Sequence, residues 1–114
     1  MRIPFALVLV SLTALVAAKD YEFDMFYPSG CSGTPEHISD NVGGDGKRGC
    51  SGYFTHGAAS AWKLSNLRDG CVVNFYKDKG CQEKLDWIDG KSPKGQCKLM
   101  PGYTAARTFD VSCP

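Results

Sequence analysis

The stretch that decides the fold reads NFYKDKGC and spans residues 74–81. It nearly repeats residues 25–31, which read MFYPSGC. Both copies place an aromatic pair before a turn that ends in Gly-Cys, where glycine accepts a positive φ and a disulfide can fix the turn. Phe26 and Phe75 are 49 positions apart and the two cysteines are 50 apart, which indicates one inserted residue in the second copy. The sequence therefore predicts a hairpin that occurs twice.

The match between the two halves continues beyond the hairpins at a constant offset of 47 residues. At this offset Cys50 falls on Cys97, Ala58-Ala59 on Ala105-Ala106, Trp62 on Phe109, Leu64 on Val111, and Ser65 on Ser112. A match at both ends of each half favours an internal duplication, with repeat one at about 19–66 and repeat two at about 67–114. The alternative is that two hairpins converged on similar strand-and-turn chemistry.

The apolar residues between the cysteines recur with a period of two. Apolar and polar residues alternate in residues 21–25, 62–65, 84–87 and 109–113, with Trp87 among the apolar positions. This alternation is typical of short strands with one buried face. Two halves that each expose an apolar face can bury it against each other. We therefore predict an all-β, single-domain Greek-key β-sandwich built from two pseudo-repeated motifs, stapled by disulfides, over residues 19–114.

The first 18 residues have the pattern of a secretory signal peptide. Arg2 supplies a positive charge, and residues 5–18 form an uncharged run of 14 residues that ends in Val-Ala-Ala. This run is too short to cross a bilayer as a helix, and its small residues suit a signal peptidase, so we expect cleavage after Ala18. All six cysteines lie in the remaining 96 residues. An even cysteine count behind a secretion signal predicts disulfides and an extracellular location.

The repeat also restricts the disulfide pairing, which six cysteines alone do not determine. Equivalent cysteines of two like halves are expected to pair equivalently. The pairs predicted in this way are Cys31–Cys50, Cys81–Cys97 and Cys71–Cys113. The last pair follows by elimination, and a Greek key supports it because the fourth strand lies beside the first.

Net charge excludes some classes of partner. Residues 19–114 carry twelve basic and twelve acidic side chains, without a block of lysines or arginines. This balance argues against nucleic acid and against a polybasic membrane surface. The first half holds four basic and six acidic residues, and the second half holds eight and six. We expect a monomer without a membrane span, whose lysines form either a solvated face or a weak surface for an anionic partner.

The hairpin at residues 73–85 (VNFYKDKGCQEKL) resembles the first hairpin of a βγ-crystallin motif, with Phe75, Tyr76 and Gly80 at the pattern positions. The earlier copy, with Phe26, Tyr27 and Gly30, is one residue shorter. Together with the cysteines, the chain resembles the small cysteine-rich secreted proteins of filamentous fungi, some of which are crystallin-like killer toxins. The resemblance implies a secreted effector that acts at the host interface or in the apoplast. Its alternatives are an antimicrobial killer-toxin-like protein and a protease inhibitor.

Calcium is the ligand that the crystallin resemblance implies, but the sequence departs from the family's pattern. The stretches that correspond to its binding sites are residues 55–60 (THGAAS) and 103–108 (YTAART), and neither contains a carboxylate. Calcium is held by several oxygen ligands, usually including Asp or Glu. We therefore expect no metal and no cofactor.

The sequence contains no recognisable catalytic motif. His37 and His56 are the only histidines, and oxidation of the cysteines removes a thiol nucleophile. A pair of carboxylates suited to glycoside hydrolysis is the open alternative, because such a pair is defined only in three dimensions. We predict a protein that is not an enzyme and that binds a host or microbial protein or a cell-surface component.

Five residues are candidates for the surface that contacts this partner. The candidates are Tyr53, Phe54, Lys91, Lys94 and Tyr103. The aromatic candidates follow loop cysteines and are expected to be exposed, whereas most other aromatic residues are expected to form the core.

Overall fold

The alternation in the sequence produces the first strand directly. In β1 (Tyr21–Phe26), the side chains of Tyr21, Phe23 and Met25 are buried, and the acidic residues between them are partly exposed. Successive side chains of a strand point to opposite faces, so one face of β1 turns toward an apolar core and the other toward solvent.

The computed structural model describes residues 18–27, 30–50, 54 and 57–114. Apart from Ala18, the predicted signal peptide lies outside the described residues. The other strands are β2 (Glu36–Asp40), β3 (Lys47–Arg48), β4 (Ala61–Leu67), β5 (Val72–Tyr76), β6 (Lys84–Ile88), β7 (Cys97–Leu99) and β8 (Thr108–Ser112), and a 3₁₀ turn lies at Pro101–Tyr103. Across these described ranges there is no α-helix, and no helix has the length and apolar character needed to cross a membrane. The prediction of an all-β chain is confirmed.

The strands form two antiparallel sheets that exchange a strand. The first sheet has the order β2-β1-β4-β7, and the second has the order β3-β8-β5-β6. The third strand of each half, β3 or β7, thus lies at the edge of the sheet that the other half builds. The remaining three strands of each half stay together, with the fourth beside the first.

Aromatic side chains fill the space between the two sheets. Phe23 of β1 meets Phe75 of β5 edge-on, with ring centroids 5.6 Å apart, and meets Phe109 of β8 at 5.5 Å. Trp62 of β4 stacks on Phe75 at 6.5 Å. These contacts all join one sheet to the other, and edge-to-face aromatic pairs add to the stability from burial. Two sheets with a shared apolar core have the architecture of a β-sandwich.

The strand register gives an alignment of the two halves that differs from the predicted one by one residue in the first hairpin. Met25 lies opposite Trp62 in β4. Phe75 lies opposite Phe109 in β8. Since Trp62 and Phe109 match at the offset of 47, Met25 and Phe75 occupy corresponding places, and they are 50 positions apart like the cysteines of the turns. On this alignment Phe75 corresponds to Met25 and not to Phe26, and no residue is inserted. Identical aromatic residues suggested the match of Phe26 with Phe75, but Met25 and Phe75 belong to the core cluster between the sheets and Phe26 does not.

The two turns also differ in which residue takes the left-handed conformation. Gly30 has φ +69°, as expected for the glycine of the Gly-Cys pair. In the second turn the positive φ of 56° belongs to Cys81, and Gly80 does not adopt it. The expected role of glycine is therefore present in one copy of the hairpin only.

Three disulfides staple the sandwich. They are Cys31–Cys97, Cys50–Cys81 and Cys71–Cys113, with Cα–Cα distances of 5.9, 5.8 and 4.1 Å. The Cys71–Cys113 bond is the one that the sequence predicts. It joins the residue before β5 to the residue after β8, which are neighbouring strands of the second sheet.

The predicted pairs Cys31–Cys50 and Cys81–Cys97 are wrong because the halves exchange their third strands. Cys97 begins β7, which lies in the first sheet, close to the turn that carries Cys31. Cys50 follows β3 in the second sheet, close to the turn that carries Cys81. Each of these disulfides therefore joins one half of the chain to the other.

Candidate binding surface

Exposed apolar side chains are concentrated in one region of the described structure. Trp87 is 49% exposed, Leu99 is 61% exposed and Tyr103 is fully exposed. Tyr103 lines a groove of about 460 Å³, Trp87 lines a groove of about 350 Å³, and Leu99 lines both. We call these three residues and the two grooves the Leu99 surface. Exposed apolar groups that lie together, and not singly, are typical of binding sites.

The first groove forms where the β1–β2 turn meets β7. Gly30 is so close to Leu99 that a Cβ atom at this glycine would lie 2.8 Å from the Leu99 Cδ2. The Gly30 amide donates to Ser60 Oγ at 2.9 Å, and the Met100 amide donates to the Ser60 carbonyl at 2.9 Å. The Cys31–Cys97 disulfide fastens the same two segments covalently. Exchange of β7 therefore builds the base of this groove.

Tyr103 projects into solvent from an unusual backbone conformation. Its φ is 57°, and Gly102 before it has φ +64°. The Thr104 amide donates to the Pro101 carbonyl at 3.3 Å and closes the 3₁₀ turn. A left-handed conformation costs a residue with a Cβ about 1–2 kcal/mol, and such strain is found most often at functional positions.

The second groove, which we call the Trp87 groove, lies beside the β6–β7 loop. Trp87 donates from its indole nitrogen to Asp89 Oδ2 at 3.2 Å, and the Lys84 Nζ lies 5.0 Å from the centre of its ring. Asp89 Oδ1 accepts from the Lys91 amide at 2.9 Å, and the Asp89 amide donates to Ser92 Oγ at 3.0 Å. Trp87 and Asp89 are thus held in fixed positions at the rim.

The floor of the Trp87 groove connects to the core through Asp86. Its Oδ2 accepts from the indole nitrogen of buried Trp62 at 3.0 Å, and its Oδ1 accepts from the Trp87 amide at 2.9 Å. A buried indole N–H needs such a partner, because leaving it unsatisfied costs about 1–3 kcal/mol. Asp86 therefore satisfies the buried indole donor of Trp62 and also presents its carboxylate at the groove.

The predicted surface residues have different outcomes. Tyr103 is exposed, as expected. The prediction that Phe54 is exposed is wrong, because only 4% of it is exposed and its ring stacks on Phe109 at 5.5 Å within the core. Lys91 and Lys94 are both exposed. Of these two lysines only Lys91 lines the Trp87 groove, and Lys94 forms an isolated β-bridge with Leu64. Tyr53 lies outside the described residues.

Sequence reasoning missed Trp87 and Leu99. The alternation at residues 84–87 predicted a buried Trp87, but β6 has the opposite phase, since Ile88 is fully buried and Asp86 faces Trp62. Ile88 was the available signal, because β-branched Ile in a strand is more often fully buried than Trp. Nothing local marks Leu99 as exposed, because its environment depends on which sheet receives β7.

A separate polar cluster lies on the outer face of the first sheet. His37 Nδ1 lies 2.7 Å from Asp24 Oδ1, and its Nε2 lies 3.2 Å from Glu22 Oε2. The hydrogen bond to Asp24 and the negative charge of both carboxylates raise the pKa of His37 above its ordinary value. The cluster lines neither groove. Among the described residues, no group of three or more His, Cys, Asp or Glu side chains is arranged to hold a metal.

Comparison with protein-family models, with curated proteins and with solved structures finds no match.

Proposed function

We propose that this protein is a secreted, disulfide-stapled binding protein that engages its partner through the Leu99 surface. The carrying observation is the placement of Leu99 and Tyr103 in the open, on a segment fixed by a disulfide and by a buried Met100. A rigid apolar segment loses little conformational entropy when a partner covers it. Contact with a partner would also bury the apolar area that this segment now exposes to water.

We further propose that the scaffold consists of two duplicated Greek-key motifs and resembles the βγ-crystallin fold. In each half the fourth strand lies beside the first, and the third strand is exchanged. Ala59 and Ala106, which match at the offset of 47, pair with each other through two hydrogen bonds of 2.8 Å. A residue that pairs with its own counterpart is what a two-fold axis between duplicated motifs requires.

The disulfides support the same symmetry. Cys31 corresponds to Cys81, and Cys50 corresponds to Cys97. The disulfides Cys31–Cys97 and Cys50–Cys81 are therefore equivalent to each other under the proposed two-fold axis. Equivalent cysteines do pair equivalently under this proposal, but they pair across the halves and not within them.

The proposed place of action is outside the cell. Three disulfides in a domain of this size fit an extracellular protein, because reducing compartments keep thiols free. The N-terminal pattern of the sequence points to the same route. Within this setting the fungal resemblance favours an effector at the host interface or apoplast, which acts by binding and not by catalysis.

The test is a capture experiment with the oxidised protein immobilised as bait and host extracellular fluid as the source of partners. The variant Leu99→Ser/Tyr103→Ala removes the apolar contacts, and Lys77→Ala is the matched control on an exposed residue outside both grooves. We expect a discrete set of partners bound by the wild type and by the control, and lost by the double variant. Equal retention by all three proteins would contradict the proposal.

A parallel growth assay separates the effector from its alternatives. A killer-toxin-like protein would inhibit neighbouring microbes in the absence of a host, and that inhibition would depend on Leu99 and Tyr103. A protease inhibitor would yield a protease among the captured partners. We expect neither result, and either one would keep the binding surface while replacing the proposed role.

A further inference from the structure

We propose that the Trp87 groove binds a neutral oligosaccharide of a cell-wall polysaccharide. This inference rests on the proposed function, because it assigns a ligand class to one end of the Leu99 surface. The residues of its lining that could contact a sugar are Asp86, Trp87, Asp89, Lys91 and Lys98. The groove is shallow and open to solvent, so a longer chain could extend beyond it at either end.

Trp87 supplies the apolar platform that a sugar ring needs. A pyranose presents a face of C–H groups, and an indole ring offers a flat surface of matching character. The Asp89 carboxylate holds the indole nitrogen at 3.2 Å, and Lys84 lies over the ring without lining the groove. Because the ring is already oriented, stacking of a sugar costs little side-chain entropy.

The groups around this platform match the hydroxyl rim of a sugar. Asp86 and Asp89 are oriented by hydrogen bonds from the Trp62 indole and from the Trp87 and Lys91 amides. A carboxylate has about four acceptor sites, so each can still accept from a hydroxyl. Lys91 and Lys98 add donors on the same lining. Fixed acceptors and donors beside an aromatic surface are the usual composition of a small-ligand site.

The charge of the lining selects a neutral ligand. Asp86 and Asp89 bring two negative charges, and Lys91 and Lys98 bring two positive charges. An anionic chain would meet both carboxylates, and a cationic chain would meet both ammonium groups. An uncharged chain of hydroxyls can use all four groups as hydrogen-bond partners. The groove therefore disfavours the anionic partner that the lysines suggest in the sequence.

The experiment titrates the oxidised protein with defined hexasaccharides and follows the two indole N–H signals by NMR. One arm uses β-1,4-glucan and xylan fragments, which represent host cell walls. A second arm uses β-1,3-glucan, mannan and chitin fragments, which represent microbial walls, and sulfated heparin fragments serve as the anionic comparison. We expect saturable binding of at least one neutral fragment, with a larger shift for the Trp87 indole signal than for Trp62.

Variants locate the site. Trp87→Ala is expected to weaken binding about tenfold or more, Trp87→Phe less, and Tyr103→Ala not at all. Binding should persist when NaCl is raised to about 1 M, because a neutral ligand is insensitive to screening. The inference is overturned if no neutral fragment binds, if Trp87→Ala binds as well as the wild type, or if only heparin binds and salt releases it.

The outcome is separable from that of the proposed function. Partner capture depends on Leu99 and Tyr103, whereas saccharide binding depends on Trp87. If saccharides do not bind but captured partners still require Tyr103, the ligand class alone is wrong. If neither saccharides nor partners require this surface, the proposed function fails with it.

Discussion

At the scale of single residues, the structure depends on a few positions where the backbone or a charge is tightly constrained. Gly46 has φ +79°, and a Cβ atom there would lie 2.5 Å from the Cys113 carbonyl oxygen. The Cys113 amide also donates a hydrogen bond to the Gly46 carbonyl at 2.6 Å. Gly44, two residues earlier, has nothing within 4 Å of a Cβ atom and no positive φ. The two glycines therefore form a matched pair.

We predict that Gly46→Ala destabilises the protein and that Gly44→Ala does not. The left-handed backbone alone costs alanine about 1–2 kcal/mol, and the collision with Cys113 adds to it. Urea unfolding of the two variants and the wild type measures the difference in free energy of unfolding. Equal midpoints for the two variants would contradict the geometry of the β3–β8 edge.

His37 gives a prediction about pH. Because Asp24 and Glu22 raise its pKa in the folded state, the folded protein holds the proton more tightly than the unfolded chain. The resulting stabilisation is complete below the unfolded pKa of about 6.5 and is lost as pH rises through the higher folded pKa. The side chain is 53% exposed, so solvent screening keeps the effect below about 1 kcal/mol.

The comparison with His37→Gln isolates this effect. We expect the wild type to exceed the variant in free energy of unfolding at about pH 5, and the difference to shrink on raising the pH to about 9. Chemical denaturation at a series of pH values provides the measurement. A difference that grows with pH would mean that the folded state prefers the neutral imidazole, and the Asp24 contact would be wrong.

At the scale of elements, the phase of β6 decides which side chains reach the Trp87 groove. Ile88 is fully buried opposite Val73, whereas Trp87 is half-exposed opposite Asn74. A strand shifted by one residue would exchange these environments, because the side-chain period is two.

We predict that Ile88→Ala costs about 2–5 kcal/mol of unfolding free energy and that Trp87→Ala costs less than about 1 kcal/mol. The first change leaves a cavity in the core, and the second removes a ring that water already reaches. Thermal and urea unfolding of both variants gives the comparison. A larger loss for Trp87→Ala would show that the phase read from the sequence was right.

At the scale of the whole molecule, the alternation located β1, β4, β6 and β8, but it did not predict the sheet in which β3 and β7 lie. The alternation in residues 21–25 marks β1 correctly, and the cysteine count correctly predicts a disulfide-stapled chain. The sheet in which β3 and β7 lie is set by contacts between residues far apart in the sequence. The two disulfides that join the halves, for example, span 66 and 31 positions. The match between the two halves of the sequence is compatible with disulfide pairing inside each half or between the halves, so it could not decide between them.

The residues of the candidate site also differ in whether the sequence could predict their exposure. Tyr103 was predictable because it follows a loop next to Pro and Gly, residues that favour turns at the surface. Leu99 was not, because its exposure results from the position of β7 beside Gly30 at the edge of the first sheet. Trp87 required the phase of β6, in which the extra residue Leu85 interrupts the pairing with Phe75 and Tyr76 of β5. Both grooves thus depend on the exchange of the third strands.

The strand exchange is tested most directly by peptide mapping of the oxidised protein under non-reducing conditions. The strand exchange brings Cys97 to Cys31 and Cys81 to Cys50, so we expect peptides that link these pairs, together with the Cys71–Cys113 peptide. A map that links Cys31 to Cys50 and Cys81 to Cys97 would contradict the exchange, and the Leu99 surface would lose its structural basis.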